Sequence, residues 1–257
     1  MPPPRRQPEA NQDPVVQRVR IRYAKRGPLR FTSHRDFARA FERAVARAGV
    51  PVAYSQGFSP HPKISYASAA PTGAASEAEY LELGLRHRMD PPALRAALDA
   101  ALSPGLDVLD AVEAGPGALA ERIDAAVWRI ELPGADPQVI AAAVAAFLAA
   151  DEVPVRRLTK QGMRTFDARS AVVELSLGEP SAVGAAPCAI LDLVVRQVSP
   201  TVRPDDILSG LRVVADVVLA LPPRATRLAQ GSLTAQGELI DPLSADRDGA
   251  VTGTSSS

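Results

Sequence analysis

Two imidazoles and one amine define the chemistry open to this chain. His34 stands in Phe31-Thr-Ser-His34-Arg-Asp36, and His61 in Ser55-Gln-Gly-Phe-Ser-Pro-His61-Pro-Lys63. Paired imidazoles beside basic residues permit metal-free RNA cleavage, with one ring as base and the other as acid for attack by a 2′-hydroxyl. On that reading the catalytic candidates are His34, His61 and Lys63, with Lys63 stabilising the phosphorane. The same groups also suit phosphate binding without reaction. Pro60 and Pro62 hold Ser59 and His61 extended, and Gly57 permits close backbone approach. This segment therefore reads either as a stiff strut that offers His61 and Lys63 to a phosphate, or as a rigid strand connection with an exposed ring. His34 falls in the first turn of a helix, where backbone N–H groups and the helix dipole favour an anion. Its alternative is a ring packed on the sheet while Ser33 only caps the helix. His87, in Arg86-His-Arg88, reads as ordinary surface.

Charge is concentrated around these residues. Lysine and arginine balance aspartate and glutamate at 29 each, yet residues 14–63 hold eleven Lys/Arg against Asp36 and Glu42. Such asymmetry points to nucleic-acid or membrane contact, or else to a solvated arginine face. The expected nucleic-acid-binding residues are Arg18, Arg20, Arg22, Arg30, Arg35, Tyr54, Gly57, Phe58, His61 and Lys63. Phosphate-loop and dinucleotide fingerprints are absent, as are His-Glu-x-x-His and Cys-x-x-Cys. Glu77, Glu79 and Glu82 lie close together, but strand alternation separates their faces, so no metal site is expected.

The elements that must position these groups follow from periodicity. Val19, Ile21 and Tyr23 alternate with Arg18, Arg20 and Arg22, which marks a strand with one apolar and one cationic face. Ser33 and Asp36 form a capping-box pattern that starts a helix. Phe37, Phe41, Ala44, Val45 and Ala48 make its buried stripe, and Arg35, Arg39, Arg43 and Arg47 its other side. Short strands are expected at 52–54 and 63–66, and longer ones at 80–85 and 106–112, with a helix between these last two capped by Asp90-Pro91. A second round is expected from residue 126: strands near 126–132, 154–158, 172–177, 191–196 and 227–233, with helices from Asp136-Pro137 and near Pro204.

Each half thus reads as β-α-β-β-α-β, so the expected fold class is α+β with tandem ferredoxin-like units. The expected divisions are a disordered tail at 1–13, a basic unit at 14–113, a linker at 114–123, a second unit at 124–235 and a disordered tail at 236–257. A ferredoxin-like unit leaves one sheet face open. Arg18, Arg20 and Arg22 are therefore expected on that face or in the cleft between units, as a platform for RNA.

Cys188 is the only cysteine, so this chain alone has neither a disulfide nor the thiolate set for a zinc or iron–sulfur site. The longest apolar run, Val139 to Ala150, is too short to span a bilayer. With no secretory pattern at the start, a cytoplasmic location without membrane contact is expected.

Gly27-Pro-Leu-Arg-Phe-Thr-Ser-His34-Arg-Asp, the helix through Arg43, Ala44, Arg47, Ala48 and Gly49, and Tyr54-Ser-Gln-Gly-Phe-Ser-Pro-His61-Pro-Lys63 resemble the radical-SAM-linked protein family. Pro71-Thr-Gly73 and Glu79-Tyr-Leu81 resemble its downstream signature. That family is a domain of unknown function encoded beside, or fused behind, radical S-adenosylmethionine proteins. The resemblance covers about residues 15–230 and implies a stand-alone accessory version. S-adenosylmethionine and an iron–sulfur cluster would then belong to a radical-SAM partner, and no catalytic role is implied here. The architecture also resembles that of CRISPR RNA-processing endoribonucleases. Three functions follow as expectations: an accessory protein presenting RNA, possibly tRNA, to a radical-SAM modifying enzyme; a metal-independent endoribonuclease using His34 and His61; or a protein adaptor that never touches nucleic acid.

Overall fold

A computed structural model of the chain describes residues 14–56, 59–159, 162–179 and 188–252. The alternation in the first strand, β1 (Gln17–Lys25), is realised in register: Arg18, Arg20 and Arg22 stand opposite Gly84, Glu82 and Tyr80 of its neighbour. A 3-10 turn at Gly27–Phe31 leads to α1 (His34–Arg47). Ser33 caps α1 by accepting from the Asp36 amide, and the α1 stripe buries Phe37, Phe41, Ala44 and Val45. β2 (Ile64–Ala67) and β3 (Ala75–Leu85) follow, then α2 (Pro91–Ala101), capped by Asp90, and β4 (Val108–Glu113). Val19, Ile21 and Tyr23 pack with the α1 stripe, with Leu94 and Leu98 of α2, and with Leu81, Leu83 and Leu85 of β3 in one core.

The second half opens with β5 (Ala125–Pro133) and α3 (Pro137–Ala149), capped by Asp136. A hairpin of β6 (Pro154–Thr159) and β7 (Gly162–Asp167) stands as its own two-stranded sheet. β8 (Val172–Leu177), β9 (Cys188–Arg196), α4 (Pro204–Ala215) and β10 (Arg224–Leu233) follow. The chain continues through β11 (Leu239–Ile240) and α5 (Ser244–Thr252). The second core joins Trp128 and Ile130 of β5, Ile140 and Phe147 of α3, and Ile207 and Leu211 of α4. Leu148 of α3 is exposed.

Among the described residues the fold is mixed α+β with one nine-stranded sheet, ordered β4-β1-β3-β10-β5-β9-β8, with β2 on β3 and β11 on β10. All pairings in it are antiparallel except β3 with β10, where Thr226 and Arg227 face Ala75 and Ser76. That parallel step joins the two halves.

Two expectations about connecting segments are corrected. The segment expected to be a linker at 114–123 holds a 3-10 turn, Leu119–Arg122, and buries Leu119 and Ile123 against Tyr80 and Leu243. The stretch from 236, expected to be disordered, carries β11 and α5 and fully buries Leu243. Apolar side chains at 119, 123 and 243 cover the face of β1 and β3 that the expected fold leaves open, removing their own surface from water as they do so. Residues 1–13 and 253–257 lie outside the described residues. No helix among the described residues is long and apolar enough to cross a membrane.

Candidate anion-binding surface

The surface starts from α1. Because Phe37, Phe41, Ala44 and Val45 face the core, helical geometry turns Arg35, Arg39 and Arg43 outward. All three are exposed, and among the described residues none has a hydrogen bond or ion pair. Arg47 differs, donating to the Ala101 carbonyl at 2.5 Å. His34 is exposed at the first turn and meets Tyr66 edge-on, ring centroids 4.9 Å apart. Arg30 lies 4.7 Å over the ring of Phe31, which is itself 61% exposed.

The strut carrying His61 is fixed by its backbone. The Ser55 amide donates to the His61 carbonyl at 2.8 Å, and the His61 amide to Ser55 Oγ at 3.0 Å. Tyr54 bridges Pro62, and the Lys63 amide reaches the Ala53 carbonyl at 2.7 Å. His61 and Tyr54 are exposed and Lys63 is half-buried. His61 and Lys63 line a cavity of about 230 Å³ with Arg18, Ser65 and Glu82. A neighbouring cavity of about 410 Å³ shares Arg18, Ser65 and Glu82 and adds Arg20, Tyr66 and Leu119. His34 lines neither, so these cavities do not unite the two imidazoles. Gly57 and Phe58 lie outside the described residues.

The arginines of β1 require a correction. Arg20 is 1% exposed. Its Nη1 donates to Asp246 Oδ2 at 2.9 Å and its Nε to Glu82 Oε2 at 3.0 Å, while Nη2 donates to the Gly117 carbonyl. Arg122 also pairs with Asp246 at 2.9 Å. Arg22 is half-buried and donates to the Glu77 carbonyl at 2.8 Å. Arg18 alone of the three is exposed, paired with Glu82 at 2.8 Å. Asp246 lies 226 residues from Arg20 along the chain. The carboxylates that take up this face therefore come from β3 and from α5, and Arg20 is closed to a ligand.

A second polar group escaped the sequence reading. Tyr23 and Lys25 of β1, Glu79 of β3 and Arg227 of β10 are all buried. Glu79 accepts from Arg227 Nη2 and, at 3.1 Å, from the Ala70 amide. The Arg227 guanidinium lies 5.5 Å over Trp128. Burial pushes the Lys25 amine below its ordinary range, with Glu79 opposing and Arg227 reinforcing that shift. Burial likewise raises the Tyr23 phenol, assisted by Glu79. No local pattern flags these residues. Lys25 lies past a register shift after Tyr23, and Arg227 meets Glu79 across 148 positions.

A family model described as an uncharacterized protein conserved in bacteria (DUF2344) matches residues 18–204. The chain belongs to that family. The matched span holds β1 from Arg18, α1 and the His61 strut, and it ends before Arg227 and α5. No curated protein matches the chain. Among solved structures, a CRISPR endoribonuclease Cse3 bound to a 19-nucleotide RNA is 12% identical over 81% of this chain and 99% of its own. Its TM-score of 0.19 is too low to carry an argument about either fold or function.

Proposed function

We propose that this protein is an accessory RNA-binding protein that holds RNA, possibly tRNA, for a separate radical-SAM modifying enzyme. The observation that carries the binding half is the row Arg35, Arg39 and Arg43: exposed, evenly spaced and unpaired among the described residues. Cations that no carboxylate engages leave their charge available to phosphates, whereas paired ones do not. Arg30 and His34 lead into the same helix, and Tyr54 and Phe31 are exposed faces on which bases can stack, while His61 and Lys63 stand beside Arg18 on the other sheet face. The partner half comes from the resemblance of residues 27–73 to the radical-SAM-linked family. The iron–sulfur cluster and S-adenosylmethionine would reside on that partner, since Cys188 is the only thiol here.

We read the strand orders β4-β1-β3-β2 and β10-β5-β9-β8 as two ferredoxin-like units sharing one sheet. On this reading the RNA platform is the outer side of α1, because the sheet face beneath Arg20 is covered.

A fluorescence titration of labelled RNA across a salt series tests the binding. Affinity should fall steeply with salt, by a slope of about 0.7 per phosphate contact on single strands. Weak, salt-insensitive binding to every RNA tried would sink the proposal. Capture of a radical-SAM protein after nuclease treatment, without retained RNA, would instead favour an adaptor whose basic face docks an acidic partner. Cleavage in EDTA that leaves cyclic phosphate ends and is lost in His61→Ala would favour the endoribonuclease.

A further inference from the structure

We propose that Lys25, Tyr23 and Arg227 bind the oxyanion of a small-molecule ligand whose body lies in the cavity between the two halves. That cavity holds about 500 Å³ and is lined by Arg30, Phe31, Ala74, Leu208, Arg224 and Ala225, among others. Two strands run from its wall into the cluster. One path goes from Ala74, just before β3, to Ser76, which faces both Lys25 and Arg227; along β10 the other goes from Ala225 to Arg227. Each step is two residues, roughly 7 Å. Ala225 and Arg227 share a sheet face, because the register shift of β10 comes after Arg227. Ala225 packs on the core that holds α3 and α4, and Arg227 stacks on Trp128 of that core, so cavity and cluster lie on the helix side.

The cluster is short of acceptors. Arg227 has its carboxylate in Glu79. Lys25 is 5% exposed, and among the described residues its amine has neither a hydrogen bond nor an ion pair. The Tyr23 hydroxyl, on a residue 3% exposed, has no hydrogen bond among them either. The Tyr66 hydroxyl, whose ring packs on the Phe37 that Tyr23 stacks against, is buried without a partner. Buried donors are ordinarily satisfied, and a buried ammonium is ordinarily paired. Lys25, Tyr23 and Tyr66 each have a donor to spare and two cations share one carboxylate; the buried Gln230 Oε1 of β10, also without a partner, is an acceptor. A phosphate or carboxylate entering from the cavity supplies both the acceptors and the missing negative charge. Arg30 and Arg224 at the cavity wall would favour an anionic ligand on its way in, and exposed Phe31 and Leu221 offer its body apolar contact.

The cavity wall shares Arg30 and Phe31 with the RNA surface, but Lys25, Tyr23 and Arg227 lie apart from it, so failure of RNA binding leaves the oxyanion site standing, and the reverse holds too. The test uses the full chain in phosphate-free buffer, with thermal melts followed through a titration of inorganic phosphate, against chloride at matched ionic strength and against acetate. Wild type should show a saturable rise in melting temperature with phosphate beyond the chloride control. A rise with acetate alone would identify a carboxylate as the oxyanion and equally support the site. Lys25→Met keeps an apolar stem and removes the unpaired charge. It should melt no lower than wild type without anion, yet bind roughly 10- to 100-fold more weakly, as loss of a charge-assisted hydrogen bond requires. Arg88→Ala, a surface change beside Glu113, should respond like wild type. Absence of any saturable anion effect in wild type, or equal affinity in Lys25→Met, overturns the proposal. If Lys25→Met does not fold, Tyr23→Phe decides: weakened binding supports the site, and unchanged binding overturns it.

Discussion

Arg20 on β1 and Arg39 on α1 carry the same group to opposite ends. Arg20 has carboxylates on two sides and a carbonyl on a third, all within a covered sheet face. Arg39, with Arg35 and Arg43, stands over a helix whose apolar stripe is already buried, and no acid meets it among the described residues. The first guanidinium is committed to holding the fold; the second leaves its charge to whatever arrives from solution. Arginine density alone therefore does not locate a ligand surface. What locates it is a guanidinium that no carboxylate engages.

The comparison breaks most readily at Arg20. Arg20→Glu sets a third acid between Glu82 and Asp246 and should cost at least about 3–5 kcal/mol, the scale of breaking a buried pair. Urea unfolding measures it, and a variant as stable as wild type would mean that the clamp contributes nothing. Phe41→Ala empties a fully buried site beneath the arginine row and should cost about 3–5 kcal/mol by the same measurement. A smaller effect is expected at Lys25. Its amine is held below the ordinary 10.5, so between that lowered value and 10.5 the unfolded chain binds a proton the folded chain does not. Stability then rises with pH across that window. Urea melts at several pH values should show this slope in wild type and its loss in Lys25→Met. The smallest stability change belongs to Arg35→Glu, Arg39→Glu and Arg43→Glu, each within about 0.5 kcal/mol. These same variants should weaken RNA binding, and the slope of log affinity against log salt should shrink by about 0.7 for each lost contact.

Local periodicity made much of the framework legible. The Ser33, Asp90 and Asp136 caps, the α1 stripe and the apolar side of β1 all appear where neighbouring residues dictate them. β7 went unread because Gly162–Asp167 is short and largely exposed, with no buried face to impose alternation. The fate of Arg20 was illegible for another reason. Alternation tells which side chains share a face, whereas the cover on that face comes from Leu119, Leu243 and Asp246, remote in sequence and set in stretches rich in Gly, Pro and Asp. The Lys25 cluster was hidden likewise, since it assembles only where β3 meets β10. Of the α1 arginines only Arg35 was among the expected binding residues; periodicity put Arg39 and Arg43 on the same outer side, but their lack of partners shows only in the fold.

The sheet order has a consequence for synthesis of the chain. β10 occupies the middle of the sheet, between β3 and β5, yet it is made after every other strand of the main path. Until residues 224–233 have left the ribosome, β5 and the start of β3, ahead of the stretch that β2 covers, each present an open edge, and each half can order only its own strands. An interrupted chain ending near residue 220 would carry both edges at once, ready to pair with those of another copy. Such a fragment should associate through its exposed backbone.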